Sequence, residues 1–167
     1  MTGTALSVGH IIDTLSASSK RPRYAFIVLN LLAEQAGAGN QAGPFIEEQG
    51  RALPLREWIG ERMARMSGRD SRRRELEKRI RAEMRDRLPD DLIEAQQMVD
   101  HAVAEHVRAT GADNASRVVS ELERCGFLKR RYDGYRTNHR NRGGLRNLVC
   151  ILDPDTVAAL RRRDALI

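Results

Sequence analysis

Along residues 91–125 apolar side chains recur every three or four positions, Gly126 intervenes, and from Phe127 onward apolar and polar residues alternate. A change of period from 3.6 to 2 at a glycine means that a helix hands over to a β-strand. Phe127–Tyr135, a turn-rich loop Arg136–Gly144 and Leu145–Leu152 read as a β-hairpin. Asp153, Pro154 and Asp155 close the second strand and open a short helix, Thr156–Arg163.

Upstream the pattern is helical. Leu6, Val8, Ile11, Ile12 and Leu15 form one short amphipathic helix, ending in the polar run Ser16–Lys20. Arg23–Gln35 is apolar nearly all round, as expected of a helix covered on most sides, with Pro22 at its first turn. Gly37, Gly39, Gly43, Pro44 and Gly50 mark a loop, in which Phe45 and Ile46 act as an anchor or a short strand. Leu55, Trp58, Ile59, Met63 and Met66 give a helix over Pro54–Ser67, with Trp58 as its large core anchor. Leu76, Ile80, Met84 and Leu88 form a narrow stripe on a charged helix that Pro89 ends, and Asp90 and Asp91 enter the first turn of the next. Ile93, Val99, Val103 and Val107 define the face of that acidic helix, 90–109. Thr110–Asp113 reads as a short turn, Asp113 or Asn114 as the cap of a following helix, and Ala115, Val118, Val119 and Leu122 as its buried face. Gly126 is the expected left-handed stop, with Phe127 meeting Leu122. Aromatic residues are only 4% of the 167, so the core is aliphatic. The expected fold is mainly α with a small antiparallel β-hairpin, divided into an N-terminal helical region, 1–88, and a C-terminal domain, 89–167.

Several function classes fall away. The longest apolar stretch, Tyr24–Ala33, is ten residues interrupted by Asn30, against the roughly 18 that a membrane helix needs. No Lys or Arg precedes Leu6–Leu15, and His10 and Asp13 interrupt it, so a secretory leader is not expected and a cytoplasmic, nucleoid-associated location is. Cys125 and Cys150 make neither a disulfide framework nor a metal site. His101 and His106 fall on different helix faces, and Glu47, Glu48, Glu57 and Glu61 lack a ligand or acid–base pattern. No phosphate loop or nucleophile elbow is present. Hence no catalytic residue, metal or cofactor is expected, and a small-molecule effector near Trp58 and the methionines has no polar anchor to support it.

Charge is unevenly placed. Residues 90–116 carry one Arg against six acids, whereas 117–147 carry nine Lys/Arg against three acids, a surplus equal to the net +6 of the chain. Such a block is the footprint of a polyanion-binding surface, because neutralising phosphates releases condensed counterions. The outward face of the helix before Gly126 holds Ser116, Arg117, Ser120, Glu121 and Arg124. Short polar side chains and arginines there suit a major groove, with Arg117 or Arg124 bridging guanine O6 and N7. Asn114 joins that set at the start of the helix, and the hairpin adds Lys129, Arg131, Arg136, Asn138, His139, Arg140 and Arg142 for phosphates or a narrow minor groove. Lys129, Arg130 and Arg131 alternate along a strand, so they cannot all face one ligand.

The segment Ser116-Arg117-Val118-Val119-Ser120-Glu121-Leu122-Glu123-Arg124-Cys125-Gly126-Phe127-Leu128-Lys129-Arg130, and more loosely residues 91–152, resembles the recognition helix and wing of bacterial winged helix-turn-helix regulators. The resemblance implies a winged helix-turn-helix with an N-terminal helical extension. Residues 114–125 would lie in the major groove and the wing, 129–147, on the backbone or minor groove. It departs from that family in its long N-terminal part and in having no long helix after the wing; Arg23–Gln35 is the candidate for the first helix. The expected function is sequence-specific double-stranded DNA binding, as a homodimeric transcriptional regulator contacting its copy through the N-terminal or 70–109 helices. The alternatives are a plasmid or phage replication or partition factor and, from another class, a protein- or RNA-binding adaptor.

Overall fold

The computed structural model describes residues 5–67, 70–133 and 147–164. Helices α1 (Val8–Ser18) and α2 (Pro22–Gln35) are followed by a two-residue strand β1 (Gln41–Ala42), then a small hairpin of β2 (Phe45–Glu48) and β3 (Arg51–Pro54). Next come α3 (Leu55–Ser67), α4 (Asp70–Glu83), the long α5 (Leu92–Arg124), β4 (Leu128–Asp133), β5 (Asn147–Leu152) and α6 (Pro154–Asp164). The molecule is mainly helical with a small antiparallel sheet, as its periodicity predicts. Within the loop expected before α3, Phe45 and Ile46 do form a short strand, β2, which pairs with β3 and sets Ile46 opposite Leu53.

The sheet has the order β1-β5-β4, with β5 antiparallel to both neighbours. Its inner face carries Ala42, Leu128, Leu148, Cys150 and Leu152 into the main core. That core also takes Ile11 and Leu15 from α1, the buried stripe of α2, Leu55, Trp58, Ile59 and Met63 of α3, Val119 and Leu122 of α5, and Leu160 of α6. It therefore draws on both sides of residue 88, and the all-round apolar α2 lies inside it.

The largest departure from expectation is α5. Thr110–Asp113 is not a turn: one helix runs 33 residues from Leu92 to Arg124, about 50 Å at 1.5 Å per residue. Its N-cap is Asp91, whose Oδ1 accepts from the backbone N–H of Ile93 at 2.8 Å and Glu94 at 3.3 Å; Asp113 and Asn114 are interior residues, not caps. Gly111 signals close packing rather than a chain reversal. It meets Gly60 of α3, and a Cβ built on Gly60 would lie 2.6 Å from the Gly111 carbonyl carbon. Only two glycines let the helix backbones cross at that separation.

The C-terminal end of α5 follows its expected chemistry. Gly126 takes a φ of +83°, Phe127 N–H bonds the Leu122 carbonyl at 3.1 Å and Gly126 N–H bonds that of Glu123 at 3.0 Å. This Schellman geometry turns the chain from helix into β4.

The N-terminal half of α5 leaves the main core and pairs with α4. Ile80, Val99 and Val103 form a small separate cluster, flanked by Leu76, Met84, Leu88 and Val107. Cross-links from Arg81 and Glu77 to Gln96, and a contact of Arg79 with His106, hold this antiparallel helical arm. Ile93 does not share the buried face assigned to it: six residues before Val99, it lies about 120° away round the helix and is 71% exposed beside Leu92 at the arm's tip.

Candidate nucleic-acid interface

Helical arithmetic on α5 explains how its last turns are presented. Ala112, Ala115, Val118, Val119 and Leu122 are buried against α3 and the core, so the opposite side of the same turns faces outward. That outward side carries Arg117 and Arg124, both exposed and, among the described residues, without a hydrogen bond or ion pair. Asp113 is exposed on the same side.

The neighbouring side chains are tied down. Ser116 Oγ donates to the Ala112 carbonyl at 3.1 Å and accepts from Arg56 at 3.1 Å. Ser120 Oγ donates to the Ser116 carbonyl at 3.0 Å and accepts from Arg130 at 2.8 Å. Both hydroxyls are half-buried links that orient two arginines along one flank of the helix, rather than the free groups the sequence pattern implied. Asn114 is half-buried as well. On the other flank Ser19 donates to Glu121 at 2.6 Å, pinning the α1–α2 loop, with its exposed Lys20, beside the helix.

Strand β4 divides its cations by alternation. Lys129 is exposed with no ion pair among the described residues, and Arg131 is drawn to Asp133 at 3.0 Å and Gln41 at 3.1 Å on the outer face of the sheet. Arg130 points to α5, where its backbone N–H bonds Glu123 at 2.7 Å and its guanidinium bonds the other carboxylate oxygen at 3.0 and 3.2 Å. Those hydrogen bonds hold the Glu123 carboxyl below, and the Arg130 guanidinium above, their ordinary ranges. This link fixes the angle between helix and hairpin. Because the folded pKa of Glu123 is lowered, its contribution is fully present above the ordinary glutamate value near ~4.3 and fades as pH falls through the lower folded value. A Glu123→Gln protein should therefore melt below wild type at pH 6, with the gap closing toward pH 3; a gap independent of pH would mean that the ion pair contributes nothing.

Arg136, Asn138, His139, Arg140 and Arg142 lie outside the described residues. Of the twelve expected contacts, the structure brings together Arg117, Arg124 and Lys129 as unpaired exposed groups, and ties Ser116, Ser120 and Arg131 to protein partners. Lys20 and Arg56 were not legible in the sequence, because 97 and 60 residues separate them from Arg117 and Ser116. Cys150 is a core thiol: burial pushes it up to about 12, so it is no nucleophile at neutral pH.

Among the described residues no His, Cys, Asp and Glu side chains cluster to hold a metal ion, and no helix is long and apolar enough to cross a membrane. No family model matches the chain, and no curated protein or solved structure does either.

Proposed function

We propose that this protein binds double-stranded DNA sequence-specifically through a winged helix-turn-helix, most simply as a homodimeric transcriptional regulator. The order α2, β1, α3, the C-terminal part of α5, then β4 and β5 supports the winged reading, as does a sheet in which the last strand sits between the first and its hairpin partner. In this reading α2 is the first helix, α3 and the end of α5 are the crossing pair, and the usual short turn between them is replaced by the α4–α5 arm. The recognition segment is thus the last turns of α5, and not a separate helix beginning at residue 114.

The observation that carries the proposal is the pair Arg117 and Arg124. Among the described residues they stand unpaired on the outward face of a helix braced by core on its other side, with Lys20 and Lys129 near its flanks. A guanidinium held this way can bridge guanine O6 and N7, a contact worth about 1–3 kcal/mol of discrimination, while the lysines pair phosphates. The homodimer enters through half-site logic, since two-fold operators are read by paired protomers.

Fluorescence anisotropy with a random-sequence duplex, its single strand and duplex RNA, between 50 and 200 mM salt, tests the proposal. With ~5 phosphates paired per protomer, log K for the duplex should fall with log salt at a slope of about −4 to −5. For a site selected from a random pool, Arg117→Ala/Arg124→Ala should lose ~10- to 100-fold or more in affinity and most of its preference over random duplex. Absence of duplex binding at 50 mM salt, or equal binding to all three nucleic acids, would overturn it in favour of the adaptor or RNA reading.

A further inference from the structure

The arm places a second set of cations against the end of the recognition segment. Arg117 and Arg124 follow Val99 by 18 and 25 residues, which is five turns and about seven turns of α-helix. All three side chains therefore lie on one face of α5. Over its N-terminal half that face is covered by α4, which packs Ile80 on Val99 and Val103. Over its C-terminal half no described residue covers the same face, because the core sits on the opposite side at Ala115, Val118 and Leu122. Helix α4 thus stands on the same side of α5 as Arg117 and stops where the bare strip begins.

The end of α4 that borders the strip is its N-terminal end. The two helices are antiparallel, so stepping back from Ile80 brings Arg72, Arg73 and Arg74 level with about residues 107–110 of α5, ~10–15 Å along the axis from Arg117. All three arginines are exposed, and among the described residues none has an ion pair or hydrogen bond. The major groove is about 12 Å wide, so a duplex that receives Arg117 and Arg124 in its groove runs one phosphate strand past this end of α4.

We infer that Arg72, Arg73 and Arg74 form a phosphate clamp on the backbone bordering the major groove, so that the arm is part of the DNA-binding surface. The inference rests on the duplex-binding reading above and adds to it a contact that no wing or recognition helix supplies. The clamp reads no sequence; it sets how deep and in which register α5 sits, as phosphate contacts do.

The test compares two triple substitutions that remove equal charge from one arm. In Arg72→Ala/Arg73→Ala/Arg74→Ala the cations next to the strip are lost; in Lys78→Ala/Arg85→Ala/Arg87→Ala those farther out are lost. All six positions are exposed, and unchanged helical circular dichroism confirms each fold. The first variant should bind random and selected duplex more weakly by the same factor, at least about tenfold at 50 mM salt, with the salt slope flatter by about 2–3. The second should stay within about threefold of wild type, with its slope flatter by less than about 1. Equal losses in both variants would show that only total charge matters, and no loss in the first would remove the clamp while leaving duplex binding intact. A wild type that binds no duplex would instead overturn the functional reading itself.

Discussion

Replacing Gly60 by Ala should lower the thermal midpoint by roughly 4–8 °C, although alanine is the better helix former by about 1 kcal/mol. The Cβ would meet the Gly111 backbone at 2.6, 2.9 and 3.0 Å from its carbonyl carbon, its Cα and the next nitrogen. Backbone cannot rotate away as a side-chain tip can, so α3 and α5 must separate, loosening their contacts on both sides of the crossing. Overpacking of this kind costs ~1–3 kcal/mol; with backbone meeting backbone it falls at the upper end, leaving about 2 kcal/mol after the propensity gain, at an interface that carries Trp58, Ile59 and Val119. Gly9→Ala is the matched control. Its Cβ finds only Ser7 Oγ, at 3.7 Å, so the propensity gain should appear as a rise of about 2–3 °C. A Gly60→Ala protein that melts at or above wild type would sink the claim that the glycines are there for close approach.

Trp58→Ala should be more damaging, costing about 3–5 kcal/mol by urea unfolding followed with circular dichroism. The residue is 1% exposed, in the first turn of α3, and its removal opens a cavity in a core drawn from α2, α5 and the sheet. Arg62 lies over the ring with its guanidinium carbon 5.1 Å from the centroid, so the substitution also strips a cation of its cover. Trp58→Phe should cost under about 1.5 kcal/mol. Trp58 Nε1 is buried without a partner among the described residues, and deleting an unbonded N–H recovers part of what the smaller ring forfeits in contacts. Equal costs for the two substitutions would mean that the indole N–H is bonded and that volume is not what the site needs.

How much of this was legible in the sequence depends on the distance over which each residue acts. Gly126 with Phe127 and Leu122 is a local capping problem, and its geometry follows from six consecutive residues. The stripes of α2 and α3 were equally readable, because burial on one side imposes its own period. Gly111 was not. Thr110-Gly111-Ala112-Asp113-Asn114 has the composition of a turn, and only Gly60, 51 residues earlier, explains why it stays helical. Ile93 looks like a member of the Val99 stripe, yet a spacing of six places it about 120° away round the helix, so it faces water where Val99 faces α4. For the candidate interface, Arg117 and Arg124 were readable as the polar side of an amphipathic segment. Ser116 and Ser120 shared that pattern, but their hydroxyls bond back to the carbonyls four residues earlier, as helical serines do, and are then claimed by Arg56 and Arg130. The arginines of α4 belong to this surface only because five turns of helix bring Val99 and Arg117 into line.

That alignment makes arm length a quantised variable. An insertion of one residue in α5 between Val103 and Gly111 would rotate everything beyond it by 100° relative to α4, and two would carry Arg117 to the far side. Insertions of seven residues turn the helix by about 20° short of two full revolutions, and 18 restore it fully. Matched additions to α4 would keep the pair in step. Variants of this protein with longer or shorter arms should therefore differ by whole turns, and a one-residue slip is the change that would uncouple the two ends while leaving each one well folded.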